Sequence, residues 1–298
     1  MAVISPHILS LSWRFTAQLV GRLANANIGL IAAGVAFYAM FAVFPGVSAT
    51  IAIWTAFADA NTIRTYLAVA DNFIPPQAWN LLYAQIQSWL ISTNSSIGWG
   101  TIVSLAITLF SARAGVGALV LGLNVIHGVK PRNTIWSLFF AYFMTMALVA
   151  VMIVALATIV AVPVFLNVLP FHSNPALMAL TNLMLSGLPW AAMFLLMLTV
   201  LGILYRYGPR KMGRPREKLF TLGAVIATLV WGAASYGLTF YLSNFASYSK
   251  LYGSIGAVIA LLLWLYLSAF AILFGAAFNA ELRKERTGST KPLPEQTE

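Results

Sequence analysis

Cysteine is absent from this chain of 298 residues, which excludes a disulfide framework and any thiolate-held metal. Histidine is scarce: His7, His127 and His172 stand far apart and make no HExxH-type spacing. Acidic side chains number only 7 and do not cluster. Metal-dependent phosphodiester cleavage needs grouped carboxylates or imidazoles, so no catalytic residue, metal site or cofactor is assigned. No GxxxxGK[ST] loop is present, so the chain does not drive itself with ATP. Charge of either sign amounts to 8% of residues, against about 25% in soluble domains. With 60% hydrophobic residues, a water-soluble globule of this length would lack polar cover. Lipid is the solvent that fits.

What is present is a series of apolar runs, each near the roughly 20 residues a helix needs to cross a bilayer. They predict an all-α, polytopic integral membrane protein with six transmembrane helices, at about 28–57, 96–112, 134–162, 177–205, 219–243 and 253–280. Residues 1–283 then form one transmembrane domain, and 284–298 a disordered cytoplasmic tail. Ahead of the first span, Ile8, Leu11, Phe15, Leu19 and Leu23 recur at helical spacing with Arg14 and Arg22 off the stripe. This N-terminal helix, within 1–27, either lies in the membrane interface or packs on the protein itself. The Ala24-Asn25-Ala26 triplet precedes the first long apolar run, so no cleaved leader is expected. Between the first two spans, 58–95 carries Pro75-Pro76, Trp79, Tyr83 and Trp89, with Leu82, Ile86 and Leu90 at helical spacing. It reads as two short amphipathic helices at the outer, periplasmic interface.

Basic residues set the orientation. All 17 except Arg64 and Lys250 fall at the N-terminus, after the second span, in the "RYGPRKMGRPREK" loop or in the tail. The positive-inside rule places both termini in the cytoplasm, with an even number of spans. The same rule accounts for the net charge of +10 without nucleic acid, and the basic loops would attract anionic lipid headgroups.

Several residues are singled out against this background. Pro45, Gly46, Gly187 and Pro189 interrupt the first and fourth spans as candidate kinks lining a cavity. Both breaks fall toward the outer side, which weakens an inverted-repeat reading. Gly253, Gly256, Ala257 and Ala260 offer small-residue spacing for close helix packing. Trp264 and Tyr266 lie mid-span and are expected to face protein or a cavity. Arg113 is placed at the end of a short second span, where it snorkels or grips an anionic headgroup. Residues 116–126 then form a re-entrant or interfacial helix with Asn124 facing protein. Gly275 and Asn279 extend a small, polar stripe to Glu281, which is expected to cap a snorkelling helix end screened by Arg283 or Lys284. Arg113, Asn124, Asn279 and Glu281 are the candidate ligand or lipid contacts.

Three segments, in order over about 28–283, resemble the YihY/BrkB family of bacterial inner-membrane proteins: "AAGVAFYAMFAVFPG", "LFSARAGVGALVLGLNVIHGV" and "LYGSIGAVIALLLWLYLSAFAILFGAAFNAEL". The resemblance implies a six-span envelope protein. Members are tied to serum resistance and to traffic of lipid or lipopolysaccharide precursors, and an old ribonuclease label circulates for them. Where relatives commonly read Gly-Ala-Glu-x-Asn-Ala, this chain has Ala277 in place of the Glu, and His127 stands where Tyr is common. The expected function is therefore transport or handover of a lipid or lipid-linked envelope component. The alternative is a non-transporting membrane scaffold for envelope integrity that docks a protein partner; ribonuclease activity is not expected.

Overall fold

The computed structural model describes residues 6–54, 99–130, 135–150, 194–210, 217–244 and 247–287, with single positions at 191 and between 76 and 87. Most of 58–95, residues 151–162 of the third expected span, most of the fourth up to 193 with Gly187 and Pro189, and the tail from 288 lie outside these residues.

The apolar runs fold as helices because a backbone in lipid has no other partner for its N–H and C=O groups. In chain order they are α1 (Pro6–Asn25), α2 (Ile28–Trp54), α3 (Trp99–Ile126), α4 (Ile135–Ala150), α5 (Phe194–Tyr207), α6 (Leu222–Asn244) and α7 (Ser247–Thr287). Four segments are long and apolar enough to cross a membrane: Ile28–Gly46, Ile102–Ile126, Leu222–Ser243 and Ile255–Glu285. The described parts of α4 and α5 are shorter apolar helices. The chain is thus an all-α, multi-pass membrane protein with four such spans among the described residues.

The second run departs from the sequence expectation. Residues 96–112 are not a short span followed by an interfacial piece; α3 continues unbroken for 28 residues. Arginine is a good helix former, so Arg113 gives the backbone no reason to stop. The glycines that follow serve packing instead. A Cβ on Gly122 would lie 2.8 Å from Leu273 Cδ2 and 3.0 Å from Ile31 Cγ2. Their absence seats α3 between α2 and α7. The stop comes at Gly128, whose φ of 63° suits glycine. Gly128 N–H donates to the Val125 carbonyl at 2.9 Å and Val129 N–H to the Asn124 carbonyl at 2.9 Å, a Schellman ending. Pro45 lies inside α2, which runs on to Trp54. Beside it, a Cβ on Gly46 would lie 3.1 Å from Thr108 Cγ2, so α2 and α3 approach closely there.

Helix α2 packs against α3 and α7, and α6 packs against α7. The main core is built largely of alanine and leucine: Ala32, Leu123, Leu201, Leu204, Ala224, Ala227, Leu273, Ala276 and Ala277 are all within it. Small side chains suit lipid, where close packing rather than expulsion from water holds helices together. Ala260 does pack, against Leu238 and Leu242 of α6. Gly256 is buried and Ala257 half-buried, while the surroundings of Gly253 lie outside the description. Trp264 and Trp231 face protein through a reciprocal clasp. Trp264 Nε1 donates to Ser235 Oγ and Trp231 Nε1 to Ser268 Oγ, each at 3.0 Å. An indole N–H left unpaired in lipid would be costly, so the two serines fix how α6 and α7 register.

Candidate functional site

Two polar arrangements stand out from this apolar bundle. The first is a buried floor where the helix ends meet. Arg22 of α1 sends Nε and NH2 to one oxygen of Glu281, at 2.8 and 2.7 Å, and NH1 to the Ile126 carbonyl of α3 at 2.7 Å. Glu281 is 1% exposed. It is therefore not a snorkelling helix end: its main partner is Arg22, with Lys284 at 3.5 Å. Arg283 instead meets Glu217 at 3.4 Å. Burial pushes the Glu217 carboxyl above its ordinary range, and the Arg283 charge offsets part of that shift. Helix α1 packs on the protein through this ion pair, buried Leu19 and an edge-on contact between Phe15 and Phe278.

Asn279 performs a cap for a different helix. Its Oδ1 accepts the Gly223 N–H at 2.8 Å, and its Nδ2 donates to Thr221 Oγ1 at 2.8 Å. Thr221 in turn caps α6 through the Ala224 N–H at 3.2 Å. This contact requires backbones to touch. A Cβ on Gly223 would lie 2.6 Å from Asn279 Oδ1 and closer still to the Gly275 carbonyl, and the reverse holds at Gly275. Asn124 is 2% exposed, and its Oδ1 accepts the Arg210 N–H at 2.8 Å. Tyr205 donates to the Ile272 carbonyl at 2.6 Å. These bonds bring the ends of α1, α3, α5 and α7 and the start of α6 to one side of the bundle.

The second arrangement is Arg113. It lies mid-helix, not at a span end. Its guanidinium carbon sits 5.4 Å from the centroid of Phe110, one turn earlier, and 5.4 Å from that of Tyr142 on α4. Its Nε is buried without a hydrogen bond. Among the described residues it has these ring contacts and no ion pair. The sequence candidates therefore separate: Asn124, Asn279 and Glu281 bond to protein at the floor, and Arg113 stands apart on the α3–α4 flank. Sequence reasoning missed Arg22, Thr221, Gly223 and Tyr205. Only Thr221 had a local signal, a hydroxyl one residue before an apolar run. Among the described residues no group of three or more His, Cys, Asp or Glu could hold a metal ion.

Curated relatives cover most of the chain. The ribonuclease-like protein YfkH of Bacillus subtilis is 31% identical over 259 residues, 85% of this chain and 90% of its own. A UPF0761 membrane protein of Alteromonas mediterranea is 28% identical over 88% of this chain and 85% of its own. Another, of Pseudoalteromonas translucida, is 24% identical over 93% and 88%. No solved structure matches the chain. The sequence model described as virulence factor BrkB matches residues 19–298, and the chain belongs to that family.

Proposed function

We propose that this protein is a six-pass inner-membrane protein of the bacterial envelope that transports or hands over a lipid or lipid-linked component. The observation that carries the reading is the depth of Arg113. At 1.5 Å per residue it lies roughly 20 Å from either end of α3, near the middle of the apolar layer. A charge there costs about 3 kcal/mol on insertion scales, so it is kept where it meets a substrate path. Six passes with both termini cytoplasmic suit the floor, where the ends of α1, α3, α5 and α7 gather with the described basic residues Arg22, Arg206, Arg210 and Arg283. Helices α4 and α5 supply the two further passes. Nucleolytic chemistry is set aside because, of the described carboxylates, Glu217 and Glu281 are engaged by arginines at the floor and Glu285 stands exposed near the end of α7.

Mass spectrometry of lipids retained by the protein in native membrane discs tests the reading. Enrichment of one anionic lipid class over the bulk membrane is expected. A retained pool identical to the bulk would refute it and favour a scaffold whose partner docks on residues 58–95.

A further inference from the structure

We infer that Arg113 and the rings beside it form a binding slot for the phosphate of an anionic lipid headgroup, with the acyl chains lying along the α3–α4 flank. This rests on the lipid-handling reading and names the group recognised.

Arginine keeps its charge in proteins and carries five N–H donors. Arg22 shows how this fold treats an arginine it uses for support: carboxylate and carbonyl oxygens take its donors. Arg113 has no such oxygen among the described residues. Its neighbours Phe110 and Tyr142 offer ring contact, which favours a cation but supplies no hydrogen-bond acceptor along the guanidinium edge. The unmet requirement is a paired oxyanion, and the planar fork matches phosphate with two parallel hydrogen bonds. A quaternary ammonium group has the wrong sign and no donor or acceptor to offer.

The surroundings choose between a free phosphate and a lipid-borne one. Phe110 is 60% exposed, and Phe139 and Phe143 of α4 are 65% and 69% exposed. On α3, Val103, Ile107 and Phe110 share a face at helical spacing; on α4, Phe139, Phe143 and Met146 do the same, and all are exposed. The slot therefore lies between two apolar stripes. A free phosphate would leave water to reach it and find no further polar contact there. A lipid brings its phosphate already attached to chains that cover both stripes.

Native mass spectrometry of the full chain with phosphatidylglycerol, phosphatidylcholine or diacylglycerol, repeated with excess inorganic phosphate, tests the slot. Wild type should favour phosphatidylglycerol and bind diacylglycerol least. Arg113→Gln should lower phosphatidylglycerol occupancy about ten- to a hundredfold, the loss of a charge-assisted pair, and leave diacylglycerol unchanged. Arg113→Lys keeps charge without the fork and should fall between them, which separates recognition from misfolding. If wild type enriches phosphatidylglycerol and both variants match it, the slot is wrong and the lipid-handling reading survives. If wild type enriches no lipid, both fail. Displacement of phosphatidylglycerol by inorganic phosphate would reassign the slot to a free anion and overturn the lipid assignment.

Discussion

Replacing Arg22 with alanine should destabilise the protein more than replacing its carboxylate partner Glu281 with glutamine. Glu281 is 1% exposed, so without Arg22 its carboxylate would be left with Lys284 at 3.5 Å, a separation too long for a good hydrogen bond. The Ile126 carbonyl would also lose its donor. Removing one side of a buried ion pair costs about 3–5 kcal/mol. Glu281→Gln is milder. The amide oxygen still accepts from Arg22, and Arg22, 12% exposed, keeps the Ile126 carbonyl at a helix end whose dipole favours a cation. That change should cost about 1–2 kcal/mol. Removing both partners leaves no orphaned charge, so Arg22→Ala with Glu281→Leu should cost less than Arg22→Ala alone. A double-mutant cycle on the full chain in lipid discs, followed by thermal or denaturant unfolding, should give a coupling of about 2–3 kcal/mol. An additive cycle, or an Arg22→Ala cost below about 1 kcal/mol, would refute a buried, charged Glu281 held by Arg22.

Three further outcomes are expected. Gly275→Ala puts a methyl group against the Gly223 carbonyl, Ala227 Cβ and the Tyr205 hydroxyl; it should cost about 1–3 kcal/mol, and unfolding indistinguishable from wild type would count against that contact. Glu217 has a folded-state pKa raised above its ordinary value near 4.5, so the folded chain binds more protons than the unfolded chain just above that pH. Its contribution is most favourable at lower pH and declines as pH rises through the folded pKa; Glu217→Gln should flatten that decline, and an unchanged pH profile would be inconsistent with it. For orientation, a cysteine at Asn80 should react with an impermeant reagent added outside spheroplasts and one at Lys218 should not; the reverse pattern overturns cytoplasmic termini.

How much of this was readable beforehand depended on the range of each interaction. Apolar run length gave the helical, membrane-spanning character because it is a local quantity. The small-residue stripe of α7, Gly275 included, was visible, but the partner at its tightest point was not. Gly275 touches Gly223, 52 positions earlier in the chain, and no spacing rule pairs them. Glu281 drew attention as a carboxylate beside Arg283 and Lys284; its real partner, Arg22, lies on the first helix. Arg113 misled in another way. A charge near the end of an apolar stretch ordinarily marks a boundary; here the helix runs on through Arg113, and two aromatic rings, one of them on another helix, lie against the guanidinium.

Arg113 and Arg22 together give a sharper test of what each arginine is for. If the bundle used Arg113 for support, Arg113→Leu would weaken it as Arg22→Ala does. The described contacts argue the opposite. Leucine is favoured over arginine by roughly 3–4 kcal/mol at the centre of a membrane helix, and the two ring contacts that would be lost offset about 1–2 kcal/mol of that. Arg113→Leu should therefore raise stability by about 1–3 kcal/mol while abolishing preferential retention of phosphatidylglycerol. Unfolding in the same lipid discs reads the first effect and native mass spectrometry the second. A stabilised variant that no longer selects its lipid would mark Arg113 as a residue kept at a cost to the fold. A variant destabilised as much as Arg22→Ala would make Arg113 a structural cation, paired within the chain, and the slot would lose its basis.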